Sequence, residues 1–465
     1  MRHLPPTSRL ALAAVGALLM LLACNLGTSE VMGPPTIVPR ASATPPPTLG
    51  FSGAQDGVVQ QATIVPANIS TPIADPAREV AALMNQVELD RLMVHVLTLQ
   101  NFYTRHVNST QSSPTQGIGA AREYISAQFR AIQQMSNGRL YTFDQEFQVT
   151  YAGMTTRQYN VVAVIQGTEP GAGTVVVGAH YDSIGQPMDS GTAYAPGAND
   201  NASGVAAIIE MARILSAKPH RSSIMIVAFS AEEIGRRGSI AFARYLVEQR
   251  VDVIGMFNID GIGNANDRRG NVNDTEMRIF SDGPNETSIS RHMARTAEFI
   301  SFTSGLPIKM IVEDAIDREN RFGDHFSFSE VGYPAIRFIQ ALEEKTNADP
   351  TDTIEFMEPE YFRRSVESIL MVVSAYADGP RPPRNISLRD IGGGRSTLLW
   401  EPVPDATGYI IALRAPGSLR YDQQIEWSGT SIDWDGFRFY TGVAIAVRGP
   451  NGIVGPLSAE YRIRR

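Results

Sequence analysis

Residues 174–182 read Thr-Val-Val-Val-Gly-Ala-His-Tyr-Asp, and this stretch decides the fold. Three consecutive valines favour an extended strand over a helix. The run is apolar on both alternating faces, as a strand buried from both sides must be. It ends abruptly in two residues that carry chemistry, His180 and Asp182. The same design recurs around it. YNVVAVIQG (159–167), SIMIVAFSAEE (223–233), VIGMFNIDG (253–261) and YPAIRFI (333–339) are short, apolar and β-branched. Between them GVAAIIEMARILSA (204–217) and GSIAFARYLVEQR (238–250) place apolar residues at helical spacing. Strands alternating with helices predict an α/β fold, with a mostly parallel sheet covered by helices on both faces.

Histidines and acids collect where these strands end. His180 and Asp182 follow the first. Asp200 lies in Gly197-Ala198-Asn199-Asp200-Asn201-Ala202-Ser203-Gly204, ahead of a helix. Glu232 and Glu233 follow the strand at 223–229, Asp260 follows that at 253–259, and His325 sits in Gly323-Asp324-His325. Ligands of open α/β sheets bind beyond the carboxyl ends of the strands, so these side chains are expected in one crevice. Taken singly, Asp200 could cap the following helix and Asp260 could belong to a turn before Gly261 and Gly263. Together the set suits two-metal hydrolysis, in which imidazole and carboxylate hold two divalent ions and one carboxylate bridges them. One acid must stay off the ions as general base, and Glu232 beside Glu233 fits that part. Asp182, two residues after His180, is placed to orient the imidazole. His95, His106, His220 and His292 have no comparable neighbours and read as structural.

Read in order, H-x-D, N-D-x-x-S-G, E-E-x-G, N-x-D-x-x-G and D-H resemble the M28 family of zinc exopeptidases over roughly residues 80–378. The resemblance implies a zinc-exopeptidase-like fold and two zinc ions, or other divalent metals. It implies His180, Asp200, Glu233, Asp260 and His325 as ligands, with Asp200 bridging. Glu232 would be the catalytic base and Asp182 the partner of His180. The water bridging the ions would attack an N-terminal peptide bond. One departure stands out. Many relatives carry N-x-H-T-x-x-D-T after the last strand, whereas here Asn347-Ala348-Asp349-Pro350-Thr351-Asp352-Thr353 lacks the histidine. Carboxypeptidase action on the same fold stays open, because Arg318, Arg321 and Arg337 could meet a substrate carboxylate. Glutaminyl-cyclase chemistry and a non-catalytic cell-surface binding role stay open as well.

Outward from this core the chain changes character. The whole sequence is 465 residues, 43% hydrophobic and 19% charged, with a formal charge of -8, so a general nucleic-acid partner is not expected. A single cysteine excludes an intrachain disulfide and any zinc site built on two. That cysteine, Cys24, closes the apolar run Leu10–Ala23, which suits a signal peptide over residues 1–23 rather than a membrane span. Leu21-Leu22-Ala23-Cys24 resembles a bacterial lipobox, which implies a lipid anchor on Cys24 and a place on the extracytoplasmic face of the membrane. Residues 24–75, rich in Pro and Thr, read as a flexible tether. Val80, Leu83, Met84, Val87, Leu92, Val96 and Leu99 predict one amphipathic helix from 76 to about 100, and further helices are expected at 119–134 and about 359–377. Residues 76–380 form the expected catalytic domain. Residues 381–465, after the linker RPPRN, read as an all-β sandwich resembling a fibronectin type III module, on Trp400, the P-x-A-x-x-Y turn into Tyr409 and A-V-R-x-x-x-G-x-x-G-P-x-S. None of the proposed ligands lies in it, which predicts that it can be removed without loss of chemistry.

Overall fold

In the computed structural model the described residues are 78–464, without 268, 283–286, 318–320, 343–349 and 451. The signal segment 1–23, the tether 24–75 with Cys24, Arg318 and residues 347–349 lie outside them. An eight-stranded sheet forms the centre, in the order β1 (Leu140–Tyr151), β2 (Met154–Ile165), β4 (Ser223–Phe229), β3 (Thr174–His180), β5 (Val253–Ile259), β8 (Ala335–Gln340), β6 (Glu276–Phe280) and β7 (Lys309–Val312). Strands β4, β3, β5 and β8 run parallel to one another, and β6 runs parallel to β7. The β1–β2 hairpin joins β4 antiparallel, and β6 meets β8 antiparallel.

The strands expected from their apolar runs form where expected, and every residue of β3 is buried. The helix expected over 76–100 is two helices, Arg78–Met84 and Leu89–Gln100. Between them Glu88 is extended, and its N–H donates to Glu210 at 2.9 Å. Glu210 is itself buried and paired with Arg213 at 2.6 Å. This tertiary bond takes a backbone donor that a continuous helix would need. Helices Gly117–Met135, Ser203–Leu215, Arg237–Glu248, Ile289–Thr303 and Pro359–Asp378 cover the sheet.

Residues 381–464 form two antiparallel sheets, one of three strands and one of four. In the latter, the strand Gly408–Arg414 pairs with the strand Gly442–Arg448. Tyr409, Ile411, Leu413, Val443, Ile445 and Val447 point into the sandwich. The alternate residues Ile410, Ala412, Ala444 and Ala446 belong to the hydrophobic core of the large sheet and its helices, together with Tyr421, Ile453, Val454 and Leu457. Alanine on the outward face lets the sheet approach closely. Arg295 Nε donates to Leu419 O at 2.6 Å, and Arg420 lies 3.8 Å from the buried Glu298. The two central strands of the four-stranded sheet are thus buried on both faces, and the C-terminal sheets are joined to the large sheet and its helices through core packing.

Removing the C-terminal residues therefore bears on stability, a matter apart from the expectation that they are dispensable for chemistry. A chain ending at Gly379 would expose the apolar surface that these residues cover, at roughly 25 cal/mol per Å2. It should aggregate, or melt at least several degrees below the full chain in differential scanning fluorimetry. An unchanged melting temperature would show that the packing contributes nothing.

Candidate metal centre

The loops at the carboxyl ends of β3, β4 and β5 converge, and each is held by a specific bond. His180, the last residue of β3, is almost fully buried. Its Nε2 stands 3.2 Å from Asp200 Oδ1 and 3.4 Å from Asp260 Oδ1, with Glu232 Oε2 at 4.0 Å. Donors about 2.0–2.2 Å from one tetrahedral ion stand roughly 3.3–3.6 Å apart, so the Asp200 and Asp260 oxygens each stand from His180 Nε2 at about the spacing of two zinc ligands. His180, Asp200 and Glu233 also offer ligand atoms that all lie within 4.8 Å of one another. His180 and Asp200 are common to both groupings, and of the two only the carboxylate has two oxygens with which to bridge a pair of ions. The donor set, one imidazole and several carboxylates, fits zinc.

Asp182 does more than face His180. Its Oδ1 is 3.6 Å from His180 Nδ1, while its backbone carbonyl is closer, at 3.2 Å. The two carboxylate oxygens accept the backbone N–H groups of Glu232 and Glu233 at 3.0 and 3.1 Å. One buried acid therefore locks the turn carrying both glutamates onto the loop carrying His180. Asp352 does the same for Asp200, accepting the N–H of Asn199 and of Asp200, each at 2.9 Å. Arg105, fully buried, ties the two sides together. It donates to the carbonyls of Tyr181 at 2.7 Å, Pro196 at 2.7 Å and Gly197 at 2.9 Å.

The electrostatics call for a cation. Burial pushes Glu232 and Glu233 well above the ordinary carboxylate range, and neighbouring acids add to it. Burial alone would depress His180, yet Asp260, Glu232, Asp182 and Asp200 hold it well above its usual value. Like charges this close resist ionisation together unless a positive charge sits among them.

The structure does not bring His325 into this group. It is the first residue of the short helix His325–Ser329, fully buried, and its Nε2 stands 3.0 Å from Ile316 O. Burial lowers its pKa to about 4. Its neighbour Asp324 faces the cluster instead. Asp324 is raised to about 7 by burial, with His180 opposing the shift and Asp260 and Asp182 adding to it. The motif Gly323-Asp324-His325 signals this position, but not which of the two side chains turns inward. Asp352 has a signal too, in the stretch 347–353. Arg105 has none, since its partners lie at distant points of the chain.

Residues 160–373 match the profile of peptidase family M28. A probable zinc metalloprotease of Leptosphaeria maculans is 31% identical over 343 residues, covering 67% of this chain and 80% of that protein. One of Pyricularia oryzae is 28% identical over 489 residues, covering 96% of this chain and 94% of its own. Among solved structures, the LapA aminopeptidase of Legionella pneumophila superposes with a TM-score of 0.50 at 19% identity, over 66% of this chain and 77% of that one. An aminopeptidase from Aneurinibacillus sp. strain AM-1 gives a TM-score of 0.50 at 17% identity, over 64% and 96%. These two establish likeness of fold.

Proposed function

The chain belongs to peptidase family M28 and is a zinc metallopeptidase, and on that premise we propose that it is an aminopeptidase working with two zinc ions. His180, Asp200 and Asp260 would hold one ion. Asp200 and Glu233 would hold the other. The observation that carries the aminopeptidase reading is the charge at the strand ends. Asp182, Asp200, Glu232, Glu233, Asp260 and Asp324 gather there. Of the described arginines that could have met a substrate carboxylate, Arg337 is already bonded to Asp260 and Asp317, and Arg321 also has an interaction of its own. Arg318 lies outside the described residues. Such a site favours the ammonium of a free amino terminus over a carboxylate.

Zinc polarises a carbonyl and lowers the pKa of water. Glu232 accepts the proton of the attacking water and delivers it to the departing amine. Asp182 and Asp352 keep the ligand-bearing loops in place while charge shifts.

The test is a set of matched peptides, free or acetylated at the amino end and free or amidated at the carboxyl end. Cleavage should require the free amino end and ignore amidation. Cleavage that instead requires a free carboxyl end would make the enzyme a carboxypeptidase. We also propose that the protein is anchored through lipidated Cys24 on the outer face of a membrane. Among the described residues no helix is long and apolar enough to cross one. Cys24→Ser should move the protein from the membrane fraction to the soluble one, and unchanged partition would refute the anchor.

A further inference from the structure

We propose that Arg337 is a positioning residue of the metal centre: anchored by Asp317, it occupies one oxygen of Asp260 so that only the other faces the ion. This rests on the reading of Asp260 as a ligand. Arg337 lies in the middle of β8, a strand otherwise composed of apolar residues and a terminal glutamine, and it is 1% exposed. An ionised group so placed is destabilising unless it is well paired. The pairing here is extensive. Nη2 lies 2.9 Å from Asp260 Oδ2, and Nη1 lies 2.8 and 2.7 Å from the two oxygens of Asp317. Asp317 is in turn fixed by the N–H of Gly323 at 2.9 Å.

The backbone sets this up. β5 and β8 are parallel neighbours with Asn258 opposite Arg337, and the N–H of Asp260 donates to Phe338 O at 3.1 Å. Asp260 therefore stands one step beyond the paired strand ends, within reach of the guanidinium. Gly323 lies against the arginine stem, where an added Cβ would come within 2.9 Å of Arg337 Cδ. The arm is confined from several sides, and its planar fork is directed at two carboxylates.

The consequence concerns Asp260. Its Oδ1 is turned to His180 Nε2 at 3.4 Å while Oδ2 is held by Arg337. The terminal torsion of an aspartate is soft, so a carboxylate without such a partner can rotate and chelate through both oxygens. Partners of this outer kind typically change metal affinity by about 10–100-fold when removed. Lysine cannot reproduce the effect, because one ammonium cannot hold two carboxylates in a fork.

The experiment uses the purified full chain, with zinc affinity measured by competition against a chromophoric chelator. Asp317→Asn and Arg337→Lys should each weaken retention of a zinc equivalent by about 10–100-fold. Asp260→Asn is the control. If it leaves zinc binding unchanged, the reading of the centre fails. If it weakens binding while a folded Asp317→Asn or Arg337→Lys protein binds zinc as the parent does, the proposal alone fails. A crystal structure of the zinc-loaded parent needs no variant to fold. It should show Asp260 on the metal through one oxygen with the other on Arg337, and two-oxygen ligation by Asp260 would overturn the proposal.

Discussion

Glu232→Gln is expected to lower turnover by about 10²–10⁴-fold while the zinc content stays that of the parent. The glutamine has the same shape, and the backbone N–H of residue 232 remains on Asp182. What is lost is the ability to accept a proton. Glu232 sits at the edge of the ligand cluster, 4.0 Å from His180 Nε2, whereas Glu233 is within the group that can share an ion. The two neighbours should therefore separate, with Glu233→Gln losing zinc and activity together. Metal analysis beside steady-state kinetics on both variants checks this. If Glu232→Gln lost zinc and Glu233→Gln kept it, the two roles would be exchanged.

Asp200→Asn should be more severe, because in the two-zinc reading proposed above Asp200 would hold both ions. The side chain keeps its volume, and the loop stays held by Asp352 through the N–H groups of residues 199 and 200. Yet the charge shared by the two groupings disappears, and an amide oxygen is a far weaker zinc ligand than a carboxylate. Zinc content should fall toward zero, with activity at least as low as in Glu232→Gln. Circular dichroism should show an intact fold. A folded Asp200→Asn protein that retains both its zinc and its activity would remove Asp200 from the centre.

The parts of this architecture that a reader of the sequence can see are those encoded locally. Strands β3, β4 and β5 are runs of apolar residues leading into a histidine or acids, and both features are visible within about ten positions. The short strands β6 and β7 and the edge strand β1 carry weaker patterns. β1 alternates between half-buried and exposed residues along most of its length. The C-terminal module carries a subtler signal of its packing. GYIIALR and GVAIAVR are apolar on both alternating faces, as the central strands are, and both faces are buried. His325 illustrates a different limit. Adjacent residues at a helix start point in different directions, so a histidine beside an aspartate does not reveal that the aspartate faces the cluster. Arg105, Asp352 and Arg337 act through bonds between distant points of the chain, and no periodicity announces them.

The central claim, that this cluster of acids and His180 is a zinc centre that cleaves peptides, is tested most directly by removing the metal and restoring it. Hydrolysis of a peptide with a free amino terminus should vanish when the full chain is stripped by a chelator and dialysed. It should return on adding zinc to the parent, and should not return for Asp200→Asn. Undiminished hydrolysis by protein shown to be free of metal would contradict the account.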